Sequence, residues 1–149
     1  MVILSENRHC RDIDVALKLI SVIKNKASVY NYSLAEIIAD ISMNKEFEVI
    51  HFDDLFLKNL SNAENIPTLW ENVISESDIH LAHYEKDVLI NFGKNLCACS
   101  KQDILSLYDK SFEDLTTFKR TAIENKNSKT KSTAAITISI GIIVVLMLI

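Results

Sequence analysis

The chain has 149 residues and a formal net charge of −4, and its length fits one compact domain with a modest core. It contains 2 glycines and 1 proline, whereas average usage would give roughly 10 and roughly 7. Sandwiches and barrels use these residues at their turns, and Rossmann and P-loop folds need glycines beside the phosphate, so these classes are close to excluded. A mostly helical chain remains, and its acidic balance disfavours binding to nucleic acid.

Apolar residues recur at helical spacing in the first part of the chain. This spacing predicts a first helix from Asp12 to about Tyr30. The sequence Ser33-Leu34-Ala35-Glu36 forms a capping box, in which the serine hydroxyl accepts from one free amide and the glutamate reaches back to another, and it opens a second helix. A third helix is predicted from about Phe47 to Leu60. Asp53-Asp54 within it is expected on a solvated face, because adjacent helical residues do not face each other.

Three more helices are predicted before the C-terminal segment. Pro67 suits the first turn of the fourth helix. The fifth runs from about His80 to Leu96, and Gly93 near its end would allow the close approach of another helix. The sequence Ser100-Lys101-Gln102-Asp103 is a second helix-capping signature and starts the longest helix. The fold class predicted for residues 1–131 is therefore an all-α antiparallel bundle of about six helices.

The short connection at Cys97–Cys99 makes the fifth and sixth helices antiparallel neighbours. They are expected to form a core hairpin. The residues expected to pack from the fifth helix are Tyr84, Val88, Leu89, Phe92 and Leu96, and those from the sixth helix are Ile104, Leu107, Tyr108 and Phe112. The polar stretch Lys126–Lys131 follows this hairpin. It is expected to be either a frayed linker or a continuous helical stalk.

The composition changes sharply after the polar stretch. From Thr133 to Ile149, 13 of 17 residues are Ala, Val, Ile, Leu or Met, and none is charged. As a helix this segment would be about 25 Å long, the short end of a membrane span. A buried helix is the alternative, but it would usually carry one polar stripe. We therefore expect a helical domain at residues 1–131 and a transmembrane tail at residues 132–149.

Basic residues cluster on the upstream side of this tail. They are Lys119, Arg120, Lys126, Lys129 and Lys131. By the positive-inside rule, they place residues 1–131 in the cytoplasm of a single-pass membrane protein. The same rule and the headgroup chemistry favour contact with lipid over contact with RNA.

The cysteines are Cys10, Cys97 and Cys99, an odd number that makes a poor disulfide framework and fits a reducing compartment. His80 and His83 precede the last two and raise the possibility of a metal site. However, the Cys-x-Cys spacing is shorter than that of most structural zinc sites. No nucleophile–base pair, phosphate loop or metalloprotease motif is present in the sequence, so no catalytic, cofactor-binding or metal-binding residue is expected.

Two motifs in the second half of the chain resemble a known family. Trp70-Glu71-Asn72-Val73-Ile74 is followed by Leu89-Ile90-Asn91-Phe92-Gly93-Lys94-Asn95-Leu96 inside an acidic-led helix, and then by a long charged helix with an apolar end. This order is similar to that of the stage III sporulation protein AB family. Arg8 and Arg11 match arginines that precede the family's first soluble helix. The departures are Cys97 in place of the family's Leu-Gly glycine, Lys26 in place of an acidic residue, and at most Met1–Leu4 in place of an initial membrane helix.

The resemblance implies a six-helix cytoplasmic bundle similar to the soluble domain of type II secretion platform proteins. It further implies a membrane-anchored component of the channel complex that links mother cell and forespore during endospore formation. The implied partners are other channel-complex proteins, including a secretion-type ATPase, together with the membrane. No small-molecule substrate is implied, and an enzymatic activity is not expected.

Two other classes remain open on the residues alone. A tail-anchored helical adaptor or apoptosis-regulator-like protein would bind a helix in an apolar groove, and Asn91-Phe92-Gly93-Lys94 is an imperfect match to the hallmark of that class. It would show an exposed apolar cleft with Lys94 at the rim. A small metal-dependent enzyme would instead bring His80, His83, Cys97 and Cys99 to one point.

The polar faces of the first and sixth helices carry most of the lysines and are the expected docking surfaces.

Overall fold

The protein is described by a computed structural model over residues 2–30, 32–52, 65–98 and 100–148, with side chains described at 5–30, 32–52, 65–98, 100 and 103–131. Five α-helices and one 3₁₀ helix occupy these ranges, which contain no strand. The elements are α1 (Val2–Val29), α2 (Leu34–Ser42), the 3₁₀ helix (Lys45–Ile50), α3 (Ile66–Glu76), α4 (His83–Leu96) and α5 (Lys101–Leu148). The predicted all-α fold class is confirmed.

The longest helices, α1 and α5, pack side by side in opposite directions. Lys119 of α5 donates to Asp14 of α1 over 2.6 Å, and Lys129 donates to Glu6 over 2.7 Å. Residue numbers thus rise along one helix as they fall along the other. Near the far end of this pair, the Ser21 and Tyr108 hydroxyls lie 3.2 Å apart.

The predicted hairpin of α4 and α5 is present, with two exceptions among its predicted core residues. One apolar cluster buries Leu89, Phe92, Leu96 and Ile104, with partly buried residues of both helices packed against it. Tyr84 and Phe112 remain 57% and 37% exposed. Each uses its ring on a neighbouring aromatic instead, Tyr84 edge-on against Phe118 and Phe112 against Tyr108.

The predicted close approach at Gly93 is confirmed, and its neighbour is the indole of Trp70. A methyl group built on Gly93 would lie 2.2 Å from Trp70 Nε1, a distance that real atoms do not adopt. The indole N–H donates to the Leu89 carbonyl over 2.9 Å, so the fully buried ring keeps its polar group satisfied. Glycine at this position therefore lets α3 and α4 pack around one large side chain.

The predicted helix starts at Ser33 and Pro67 are confirmed. Glu36 N–H donates to Ser33 Oγ and the Ser33 amide donates to the Glu36 carboxylate over 2.7 Å, which completes the capping box. These hydrogen bonds to the charged form hold the pKa of Glu36 below its usual value. Pro67 lies in the first turn of α3, where its missing amide hydrogen costs nothing.

Three predicted helix bounds are wrong. The first helix begins at Val2 rather than Asp12, because its N-terminal turns carry polar side chains that pair with α5 and leave a weak apolar pattern. The third predicted helix is a 3₁₀ helix that ends at Ile50, where His51 adopts a left-handed conformation. Residues 53–60 of that predicted helix, which include Asp53-Asp54, lie outside the described residues. The fifth predicted helix begins at His83 rather than His80.

The polar stretch Lys126–Lys131 belongs to α5, so the stalk is helical and continuous with the bundle. The backbone of α5 remains helical to Leu148. Among the described residues, no helix has both the length and the apolar content needed to cross a membrane. The side chains of the predicted tail, 132–149, lie outside that description.

Candidate interaction surface

The structure separates the residues that a metal site would have required. His83 begins α4 and Cys97 follows its last residue, so a helix of about 20 Å lies between them. Cys97 is exposed, its Sγ lies 3.6 Å from the Gly93 carbonyl, and partial desolvation raises the pKa of the thiol. Cys99 is outside the described residues. Within the described part of the chain, no three His, Cys, Asp or Glu side chains are arranged to hold a metal ion.

Two buried carboxylates instead fasten α1 to the segment that precedes α4. Asp12 is fully buried and accepts the His80 amide over 2.8 Å. Glu85 is 1% exposed and accepts the Ala82 amide over 2.7 Å, while His9 Nε2 lies 2.7 Å from the same oxygen. The His80 and Ala82 amides both precede α4 and lie outside its hydrogen-bond ladder. Because the two carboxylates accept these amides, they together fix where α4 starts.

The same pair of carboxylates explains the wrong start that the sequence predicts for α4. Apolar spacing extends to Ile79 and Leu81, but the backbone there stays outside the helix, and the His80 amide donates to Asp12 of α1. Glu85 is the third residue of α4, a position from which a glutamate side chain accepts the backbone amide just before a helix and so marks its start. That position was the one signal in the sequence for the true boundary. Nothing in the sequence indicated that the partner of His80 would come from α1.

A groove lies beside this joint, between α1 and the 3₁₀ helix, and we call it the α1 groove. It has a volume of about 710 Å³. One wall is a single face of α1, and the other wall is the 3₁₀ helix, with Asp78 at one end. The lining residues are Arg8, Arg11, Asp12, Asp14, Val15, Lys18, Lys45, Glu46, Glu48, Val49, His51 and Asp78.

His51 closes one end of the α1 groove through an unusual backbone conformation. It has φ 57° and ψ 57°, the left-handed region that few residues other than glycine adopt. Its ring Nε2 lies 2.8 Å from the Asp78 carboxylate. The hydrogen bond and charge of His51, with a smaller contribution from Arg8, hold the pKa of Asp78 below its usual value. The strained turn thus places an imidazole where it connects the 3₁₀ helix to the segment before α4.

Most of the carboxylates in the α1 groove already have a cationic partner. The ion pairs are Arg11–Asp12, Lys119–Asp14, Lys18–Glu46 and His51–Asp78. Arg8 and Lys45 make no hydrogen bond or ion pair within the described part of the chain. Arg11 touches Asp12 through one nitrogen at 3.5 Å and keeps 71% of its side chain exposed. Over the whole lining, four Lys and Arg side chains stand against five carboxylates, so the groove carries both signs of charge and has no cationic excess.

The lysines expected to form docking surfaces on the first and last helices have other roles in part. Lys119, Lys126 and Lys129 reach from α5 to polar side chains of α1. Lys24 lies 4.9 Å above the Tyr108 ring. These contacts join the two helices to each other, so these four lysines also serve the packing of α1 on α5.

In the part of the chain that the structure describes, Lys94 pairs with a neighbouring helix, whereas an apoptosis-type regulator would place it at the rim of an apolar cleft. Its ammonium donates to Glu71 of α3 over 2.8 Å. The two residues before it, Phe92 and Gly93, face the interior against the apolar cluster and Trp70. The Asn91–Lys94 motif therefore serves the packing of α3 on α4.

The described residues define a small all-helical protein with a charged groove beside its first helix. The stage III sporulation protein AB family matches residues 3–149, and the chain belongs to that family. It is accordingly a protein of stage III of sporulation. No curated protein and no solved structure matches the chain.

Proposed function

We propose that the protein is a membrane-anchored platform component of the channel complex between mother cell and forespore, and that it performs no chemistry. The observation that carries the proposal is the continuity of α5, which extends from the bundle to Leu148 as one helix. Its last part is the charge-free segment from Thr133 to Ile149. Membership in the sporulation family supports the setting of this role.

The packing of α1 against α5 supports a defined position for the bundle relative to a membrane. Glu6 of α1 meets Lys129 of α5 two residues before the basic stretch ends at Lys131. The bundle is therefore braced on α5 up to the start of the charge-free segment. In the proposed orientation, the bundle faces the cytoplasm and the basic stretch contacts lipid headgroups.

Tethering itself supplies function in this proposal. Confining a bundle to a membrane raises its effective concentration for partners held on the same surface. The proposed partners are other channel-complex proteins, including a secretion-type ATPase, with no role for nucleic acid or a small-molecule substrate. The charged α1 groove is a surface on which such partners could dock.

The test compares the full chain with a chain ending at Lys131 in sporulating cells. We expect the full chain to fractionate with membranes and to recover its ATPase or channel partners. The shortened chain should be folded, absent from the membrane fraction and unable to complement a deletion. A third version, with 132–149 replaced by an unrelated single span, separates anchoring from any special role of the tail and should complement.

Two results would contradict the proposal. Full complementation by the shortened chain would show that the function does not require the membrane anchor. Turnover of a substrate by the purified protein, lost on substitution of Cys97 or His83, would show that it is an enzyme.

A further inference from the structure

A line of exposed side chains runs along α5, beside the contact of this helix with α1. Its members are Leu105, Phe112, Thr116 and Ile123, and we call them the α5 stripe. They follow one another at spacings of seven, four and seven residues, which a helix with about 3.6 residues per turn brings onto one line. All four side chains are exposed. Three large apolar side chains in line on one helix form a ridge that suits packing against a second helix.

The direction of α5 indicates which helix that is. The helix continues without a break to Leu148, and its last part is the charge-free segment 133–149. The line of the α5 stripe passes there through the positions of Ala134 and Gly141, and small residues let membrane helices approach closely. Copies of the chain that share one membrane, as in the platform function on which this inference rests, have parallel α5 helices. Two such stripes meet along their whole length, each residue against its own copy.

The charges on the two sides of the α5 stripe are complementary. The side next to α1 carries Lys24, Lys119, Lys126 and Asp14. The other side carries Asp109, Glu113, Glu124, Arg120 and Lys131. Three lysines against one aspartate give the first side an excess of positive charge, and three carboxylates against two cations give the second side an excess of negative charge. A two-fold axis along the stripe sets each side against the opposite side of the neighbouring copy, so opposite excesses meet.

The match is best at the level of Phe112. Lys24 lies 4.9 Å above the Tyr108 ring, whose centroid is 5.3 Å from that of Phe112. Within the described part of the chain, neither Lys24 nor the carboxylates of Asp109 and Glu113 form an ion pair. These groups stand on opposite sides of the stripe and are available to one another across two copies. Like charges meet only toward the charge-free segment, where the headgroups of the proposed membrane offset them.

We propose that the protein forms a parallel dimer in which the α5 stripes of two copies pack against each other about a two-fold axis. Leu105, Phe112 and Ile123 form the apolar centre of the contact. Lys24 of each copy pairs with Asp109 or Glu113 of the other. The dimer keeps both tails on the same side, as one membrane requires.

Cross-linking tests the position of the two-fold axis. In a full chain with Cys10, Cys97 and Cys99 changed to serine, Thr116→Cys places a thiol on the stripe, and Thr117→Cys places one about 100° around the helix. Both threonines are exposed, so the two thiols are open to the same oxidant. In liposomes under mild oxidation, we expect the Thr116→Cys chain to form a disulfide-linked dimer about tenfold faster than the Thr117→Cys chain, because only the first thiol meets its own copy. Equal rates would overturn the proposal.

The dissociation constant of the dimer in detergent tests the apolar centre. Leu105→Glu/Ile123→Glu should raise it by about tenfold or more, because four carboxylates would then enter the contact. The matched control Ser106→Glu/Thr117→Glu adds the same charge to exposed positions outside the stripe and should leave it unaltered. Circular dichroism checks that both variants remain folded.

A charge exchange tests the pairing at the level of Phe112. Lys24→Glu and Glu113→Lys should each weaken the dimer by about threefold, and the double variant should recover most of the loss. A role of Lys24 inside one copy, above the Tyr108 ring, predicts no such recovery.

Two further results would overturn the proposal. One is a full chain that stays monomeric in both detergent and liposomes. The other is a Thr116→Cys chain that cross-links in sporulating cells only to a protein of different mass, which would show that another partner covers the stripe. Membrane fractionation reports separately on the platform function, because Leu105→Glu/Ile123→Glu should lose the dimer and stay with the membrane. Absence of the unsubstituted chain from the membrane fraction would instead contradict the anchor.

Discussion

Two antiparallel contacts in this molecule are built in different ways. Between α3 and α4, a fully buried indole rests on the backbone of Gly93 with no room for one more methyl group. Between α1 and α5, lysines reach across an exposed edge to Asp14, Asn7 and Glu6. The first contact is dry and tight, whereas the second is open to solvent along this edge. We expect the first to determine stability and the second to determine alignment.

The strongest test of this contrast is Phe92→Ala. Phe92 is fully buried in the apolar cluster beside the α3–α4 contact. Its truncation should lower the free energy of unfolding by about 3–5 kcal/mol, a large part of a total of about 5–15 kcal/mol. Phe112→Ala removes the same ring at a site that is 37% exposed and should cost about 1 kcal/mol. Urea unfolding of the full chain in detergent measures both, and equal midpoints would contradict the prediction.

Gly93→Ala should have the next largest effect, although alanine is the better helix former by about 1 kcal/mol. The added methyl would force the Trp70 ring away and break its bond to the Leu89 carbonyl. Overpacking and an unsatisfied buried donor outweigh the gain in propensity, so the free energy of unfolding should fall by about 2–4 kcal/mol.

The matched control for this substitution is Asn91→Ala on the exposed side of the same helix. It should leave stability unchanged or slightly raised. Tryptophan fluorescence of Gly93→Ala should also shift, because the indole leaves its buried site. A variant as stable as the parent would show that α3 can move aside without cost.

Asp12→Ala tests the joint between α1 and the segment before α4. The His80 amide would lose its acceptor, and the free energy of unfolding should fall by about 1–3 kcal/mol. Asp14→Ala, two residues along the same helix, removes an exposed carboxylate and should cost at most about 1 kcal/mol. Hydrogen exchange at the His80 amide should become faster in the first variant alone. Unchanged exchange there would mean that Asp12 does not hold the segment.

These expectations show which parts of the fold the sequence could predict. The capping box at Ser33–Glu36 and the glycine contact at Gly93 were predictable, because each depends on a local pattern with one physical solution. The partner of Gly93 was not named, since nothing local to the glycine says which helix approaches it. The left-handed turn at His51 had no signal, because no glycine or asparagine marks it.

The charged groove was beyond the sequence for a related reason. Arg8 and Arg11 were expected before the first helix, and the opposite wall comes from residues 45–51, most of which were predicted as part of a longer helix. The α1 face also carries too few apolar residues near its start to predict a helix there. Patterns within one helix are local, whereas a groove needs two helices to be placed relative to each other.

The smallest expected effect lies at the exposed edge between α1 and α5. Lys119 and Asp14 are 32% and 53% exposed, and solvent screening reduces such a pair to about 0.2–1 kcal/mol. Lys119→Ala should therefore lower the free energy of unfolding by that amount in dilute buffer and by less in ~1 M salt, where the Debye length falls to about 3 Å. Lys119→Asp should cost more, because it sets two carboxylates against each other, and Asp14→Lys in the same chain should restore most of the loss. Urea midpoints at low and high salt are measured for the unsubstituted chain, the two single charge reversals and the double reversal. The coupling energy from these four isolates the direct interaction of Lys119 with Asp14. A coupling that persists undiminished in high salt would show that this edge is held by packing, and the contrast with the α3–α4 contact would then disappear.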